Sequence, residues 1–147
     1  MDPGATLFRL CSRLFVAVYG RWPLFGELAG SVAVIRRGND YLLQWRHDGL
    51  GWCFPGGTAR WRESPEQCVR RELREETGLS PSECRLWFTY SDGAYISGRI
   101  SVFMATAEGE PRPSWEGRAV WRSLPAEPFF KSHWTILERL RGQLPPL

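Results

Sequence analysis

Apolar and polar positions follow two different periods along the chain. From residue 7 to 19, Leu7, Leu10, Cys11, Leu14, Phe15 and Val18 recur every three or four positions, with Arg9 and Arg13 on another face. This spacing predicts an amphipathic helix. Pro23, Gly26 and Gly30 then break the period and mark a connector, so the core is expected to begin near Ala29. SVAVI and YLLQW around RRGND read as two strands joined by a tight turn at Gly38-Asn39-Asp40. RLWFTY and RISVFMATA read as further strands, with turn chemistry at Asp92-Gly93 and Ser97-Gly98 between them. PRPSWEG reads as a loop, AVWRSL as a short strand, and HWTILERLRG as an amphipathic terminal helix stopped by Gly142. Strands on either side of a central helix predict an α/β (α+β) domain, a mixed sheet carrying helices. The expected division is an N-terminal helix and connector over 1–28 and one folded domain over 29–147.

The central helix carries the candidate chemistry. Ser64-Pro65-Glu66-Gln67 has the form of a helix start, with serine as cap, proline at the first helical position and glutamine three residues on. Gly78 supplies the stop. At 3.6 residues per turn, Glu72, Glu75 and Glu76 fall within one arc of about 100°, beside Val69 and Leu73 on the packing face. Like charges at i, i+4 repel, and more so where water is excluded. Arg71 reaches Glu75 one turn on and neutralises part of the cluster. A hard divalent cation would neutralise the rest, and a solvated charged face is the competing reading.

Composition narrows the classes. A chain of 147 residues, 43% hydrophobic and 24% charged, fits one ordinary globular domain. The formal charge of +3 is spread along the chain, so no duplex nucleic-acid binding is expected. Cys11, Cys53, Cys68 and Cys84 form no CxxC pair, which argues for free thiols in a cytoplasmic protein rather than zinc or disulfides. The apolar run Leu14–Gly20 is far too short to span a membrane, leaving helix 7–19 as the one conceivable membrane or dimer contact.

From Gly57 the chain reads G-x5-E-x7-R-E-L-x-E-E-x-G-L, with Gly57, Glu63, Arg71, Glu72, Leu73, Glu75, Glu76, Gly78 and Leu79 in the fixed places. This resembles the Nudix box of the Nudix hydrolase family. The approach WCFPGG and the later EGEPRPSWEGRAVW resemble the MutT type. One departure stands out: family members commonly have glycine just before the glutamate, where this chain has Arg62.

The resemblance implies an α/β/α sandwich around a mixed sheet, and hydrolysis of a nucleoside diphosphate linked to another group. It implies a small-molecule nucleotide substrate, a (deoxy)nucleoside triphosphate first, with dinucleoside polyphosphates, nucleotide sugars, capped RNA ends or non-catalytic nucleotide binding as alternatives. Carried over by position, Glu72, Glu75 and Glu76 hold Mg²⁺ (or Mn²⁺) with the Gly56 carbonyl as a further ligand. Glu72 is the first choice of general base, Glu116 the second. Glu63 and Arg71 brace the loop and helix, and Arg46 meets phosphate. Trp45, Phe54 and Trp121 are candidates to stack on a base, whereas His47 and His133 read as non-catalytic. A monomer or a homodimer is expected.

Overall fold

Ser31 to Ile35 is an unbroken buried run, and burial on both faces is what a strand needs to sit at the centre of a sheet. That strand is β1, Leu28–Arg37, in a computed structural model that describes residues 28–93, 98–124 and 126–143 together with Thr6, Leu10, Cys11 and Leu14. The remaining strands are β2 (Asp40–Arg46), β3 (Trp52–Cys53), β4 (Gly56–Thr58), β5 (Glu83–Asp92), β6 (Gly98–Thr106) and β7 (Gly117–Ser123). Helix α1 spans Pro65–Thr77, and a 3₁₀ turn at Lys131–His133 leads into α2, Trp134–Gln143.

β1 is the hub. It runs parallel to β6 along Leu28–Ile35, antiparallel to β4 at Gly30–Val32, and turns through Gly38-Asn39 to pair with β2. β2 pairs antiparallel with β7 over its whole length and with β3 at its end, while β5 pairs antiparallel with β6. The sheet is therefore mixed. Alternation along β1 feeds two cores. Ala33 and Ile35 meet Val69 and Leu73 of α1, whereas Val32 and Val34 join Leu43, Phe88, Ile136 and Leu140 beneath α2. The two helices thus cover opposite faces in an α/β/α arrangement.

The structure adds to the sequence reading in one place and corrects it in another. WCFPGG contains β3 and β4, strands of 2 and 3 residues that no periodicity could signal. Gly142 does not stop α2, which continues to Gln143. The helix over 7–19 lies outside the described residues apart from Leu10, Cys11 and Leu14, which are helical, and Ser97 of the expected turn lies outside them too.

Helix α1 is fixed at both ends by the signals the sequence carries. Ser64 Oγ accepts from the Gln67 amide at 3.2 Å, and the Gln67 side chain accepts from the Ser64 amide at 2.9 Å. Such a cap contributes about 1 kcal/mol. At the other end Gly78 takes φ 74° and donates its N–H to the Arg74 carbonyl at 2.9 Å.

Arg62 has φ 59°, and among the described residues no other non-glycine residue has positive φ. This gives the departure from glycine a physical meaning: the loop turns left-handed here, a conformation that costs a side-chain-bearing residue roughly 1–2 kcal/mol. Relief of that cost, less the added freedom of the unfolded chain, leaves a gain of about 0.5–1 kcal/mol for Arg62→Gly. An upward shift of the urea midpoint would show it; no shift, or a fall, would mean the loop relaxes without glycine.

Candidate active site

A cavity of about 410 Å³ opens between the first half of β1, the β3–β4 turn, α1 and the C-terminal 3₁₀ turn. That size lies within the range of small-ligand sites. Glu72 and Glu76, one helical turn apart, face it from α1, and Glu116 enters from the loop before β7. Gln44 and Arg46 of β2, Asp92 of β5, Arg99 of β6 and His133 also line it, with Ser31, Thr58 and Ser132.

The three glutamates of α1 do not occupy one environment. Glu76 is 4% and Glu72 8% exposed, whereas the Glu75 side chain is 49% exposed and does not line the cavity. Glu76 Oε2 accepts the Gly56 amide at 2.8 Å, and with the Gln44 amide turned so that its nitrogen faces Glu76, that nitrogen donates to both Glu76 oxygens at 3.2 Å. Even so, burial first, and then the Glu116 carboxylate in contact with it, push the Glu76 pKa well above 4.5. Burial likewise raises Glu72, against the lowering effect of Arg71. Two buried carboxyls and a third in contact with one of them thus share one cavity.

Arg71 supplies the charge that the cluster has. Its guanidinium donates to Glu63 at 2.7 and 2.9 Å, to Glu72 at 2.8 Å, to Glu75 at 3.0 Å and to the Thr58 carbonyl at 3.1 Å. These bonds hold the Glu63 carboxyl down at about 2. Arg71 therefore ties the loop 58–63 to the helix. The second glycine of the pair is dictated by proximity: a Cβ on Gly57 would stand 2.5 Å from the Glu72 carboxyl. A Cβ on Gly56 would stand 2.2 Å from the Ser31 carbonyl.

Arg46 lines the cavity as expected, with its guanidinium paired to Asp48 and lying 4.3 Å from the Phe130 ring centre. Phe54 also lines it, but packed as wall and core at 1% exposure. Trp45 does not reach the cavity; its ring stands edge-on to Trp52 at 5.2 Å. Trp121 lies under Arg37, 3.8 Å from its ring centre, and is likewise outside. His133 is the residue that the sequence alone undervalued. It is buried in the cavity wall, accepts the Phe54 amide on Nδ1 at 3.2 Å, and is held neutral by burial, which lowers its pKa to about 3. Gln44 and Asp92 were also invisible to motif reading, because only strand register brings them to the cavity.

An acid-walled cavity flanked by a glycine-pair turn, with a capped helix laid on a mixed sheet, is the arrangement of a Nudix-type α+β domain. A NUDIX domain family model matches residues 27–140, and the chain belongs to the Nudix family. Within it the chain is MutT-like: a MutT NUDIX hydrolase from Burkholderia pseudomallei superimposes with a TM-score of 0.69 at 28% identity, covering 78% of this chain and 98% of that one. The chain is also similar to the 8-oxo-dGTP diphosphatase of Proteus vulgaris, 37% identical over 63 residues, 41% of this chain and 56% of that protein. The RNA pyrophosphohydrolase of Thioalkalivibrio sulfidiphilus is 29% identical over 147 residues, covering 80% of this chain and 84% of that protein. A second RNA pyrophosphohydrolase, from Hydrogenovibrio crunogenus, matches at 49% over 45 residues, 26% of this chain and only 27% of that protein's length.

Proposed function

We propose that this protein hydrolyses the diphosphate linkage of nucleoside diphosphates joined to a second group, with (deoxy)nucleoside triphosphates as its first substrates. The observation that carries this reading is the collection of Glu72, Glu76 and Glu116 on one wall of a cavity that also receives Arg46. Among the described residues no three such groups are drawn tightly around one point. Their chemistry nevertheless suits a hard divalent cation, being oxygen-only, largely buried and mutually repelling. Glu72 and Glu76 would hold Mg²⁺ or Mn²⁺, with the Gly56 carbonyl and a turned Glu75 as further ligands. Such a cation, when bound, neutralises phosphate oxygens and acidifies water.

The chain's own groups do the rest. Arg71 fixes the Glu72 carboxyl in orientation, and Glu72 accepts the proton of the attacking water, with Glu116 the second choice. Arg46, its fork already oriented by Asp48, meets a phosphate in the cavity. The walls of Phe54, Phe130 and neutral His133 exclude water around the nucleotide. A second reading, hydrolysis at the 5′ end of RNA, is favoured by the relative from Thioalkalivibrio sulfidiphilus, which matches across most of its length.

The test is a product-resolved screen of nucleoside triphosphates, oxidised nucleotides, dinucleoside polyphosphates, nucleotide sugars and 5′-triphosphorylated RNA. No release of product with Mg²⁺ or Mn²⁺ from any of them would sink the proposal. Cation binding is checked separately by melting. A carboxyl whose folded pKa exceeds its unfolded 4.5 binds protons more tightly when folded. Its contribution to stability is thus present at low pH and lost as pH rises through the folded value. The metal-free protein should weaken toward pH 8, where added Mg²⁺ at about 100 times its Kd restores about 2.7 kcal/mol, or about 5–10 °C in Tm. At pH 5 the same addition should do less, because protons compete with the cation for carboxyls whose pKa is raised. Equal shifts at both pH values would refute the assignment.

A further inference from the structure

Two tryptophans stand exposed on segments that reach the cavity at Thr58 and Glu116, Trp61 at 90% and Trp115 at 66% exposure. Trp61 lies between Thr58, which lines the cavity, and Glu63, which Arg71 holds; Trp115 immediately precedes Glu116. The Trp61 loop is built rather than slack. Ala59 donates to the Ala29 carbonyl at 2.8 Å, the Arg60 amide to Glu63 at 2.8 Å, and the Glu63 amide back to the Arg60 carbonyl at 3.0 Å. Arg62 holds its left-handed conformation at the tip, and strain retained in a well-tied loop points to use. Arg62 is exposed and makes no ion pair among the described residues, while Arg60 reaches only the exposed Glu75 at 3.1 Å.

The cavity has room for one small ligand, so anything larger attached to a bound nucleotide extends beyond it toward the surrounding loops, of which this one leaves the wall at Thr58. That loop offers an exposed aromatic face with an arginine on either side in sequence. An apolar protein partner would require a contiguous apolar patch, whereas the neighbours of Trp61 are Arg60 and Arg62. An aromatic face stacks on any base and arginines meet phosphates without reading sequence, which is how single strands are held.

We propose that Trp61, with Arg60 and Arg62, forms a platform for the polynucleotide portion of an RNA 5′ end whose first nucleotide occupies the cavity. This rests on the hydrolase reading above and deepens it by naming the leaving chain. The test compares a 5′-triphosphorylated decaribonucleotide with the nucleoside triphosphate matching its first residue. Trp61→Ala should raise KM for the oligomer about tenfold and leave kcat/KM for the mononucleotide within about twofold, in line with the loss of one base stack. Trp61→Phe should recover most of the difference. Arg62→Gly, which suits the backbone, should flatten the dependence of oligomer binding on salt. Anisotropy of a labelled oligomer in EDTA reads the same contact without turnover. An unchanged oligomer KM and anisotropy in Trp61→Ala overturns the platform, as does an equal loss on both substrates. Loss of binding to anionic vesicles with oligomer binding intact overturns it too. Absence of wild-type turnover on either substrate would instead strike the hydrolase reading, which the anisotropy experiment does not need.

Discussion

Glu76→Gln is expected to lower kcat by about 10³-fold while raising the stability of the metal-free protein at pH 8. The two effects share one cause. Glutamine keeps the shape of the side chain and an oxygen for the Gly56 amide, but removes the charge that burial and Glu116 disfavour. Because the glutamate is already protonated below its raised pKa, the gain in Tm should shrink as pH falls toward 4.5. Steady-state kinetics and melting curves across that range check both halves. An active variant, or one that melts lower at pH 8, would show that Glu76 is a structural acid satisfied by its neighbours.

The second large effect is expected at Arg71. Its side chain is 15% exposed and holds Glu63, Glu72, Glu75 and Thr58 together. Arg71→Ala leaves carboxylates without their partner and should cost about 3 kcal/mol, or about 6–12 °C in Tm for a chain of this size. Lysine should recover little, since a single ammonium cannot replace a planar fork. Glu63 fixes the pH dependence. Its folded pKa of about 2 lies below its unfolded 4.5, so its stabilisation is present above 4.5 and lost as pH falls toward 2. The penalty of the variant should fade over the same interval in urea melts. A deficit below 1 kcal/mol at pH 7 would reduce Arg71 to a surface residue.

What was legible in the chain was local. The cap at Ser64, the stop at Gly78 and the arc of glutamates lie within one helix, where spacing alone fixes direction. The strands with long apolar runs were legible for the same reason. Equal standing for the three glutamates was not a safe deduction, because exposure depends on what α1 packs against; Glu75 lies at the edge and Glu76 against β4 and Gln44. The opposite wall was hidden altogether. Asp92 and His133 reach the cavity through β5–β6 pairing and the Phe54 hydrogen bond, contacts between segments far apart in sequence. Trp45 misled because its neighbour Arg46 does face the cavity, and successive side chains of a strand point to opposite faces.

Helix α1 is locked at its first turn, its last turn and through Arg71, and it carries the buried acids. The part of the cavity wall that Asp92 of β5 and Ser132 of the 3₁₀ turn supply shares none of those locks. Change can therefore accumulate on the two sides independently. A substitution at Asp92 or Ser132 would alter what the cavity accepts without moving Glu72 relative to Glu76. Such a partition lets one unaltered reaction centre be handed from one substrate to another over evolutionary time.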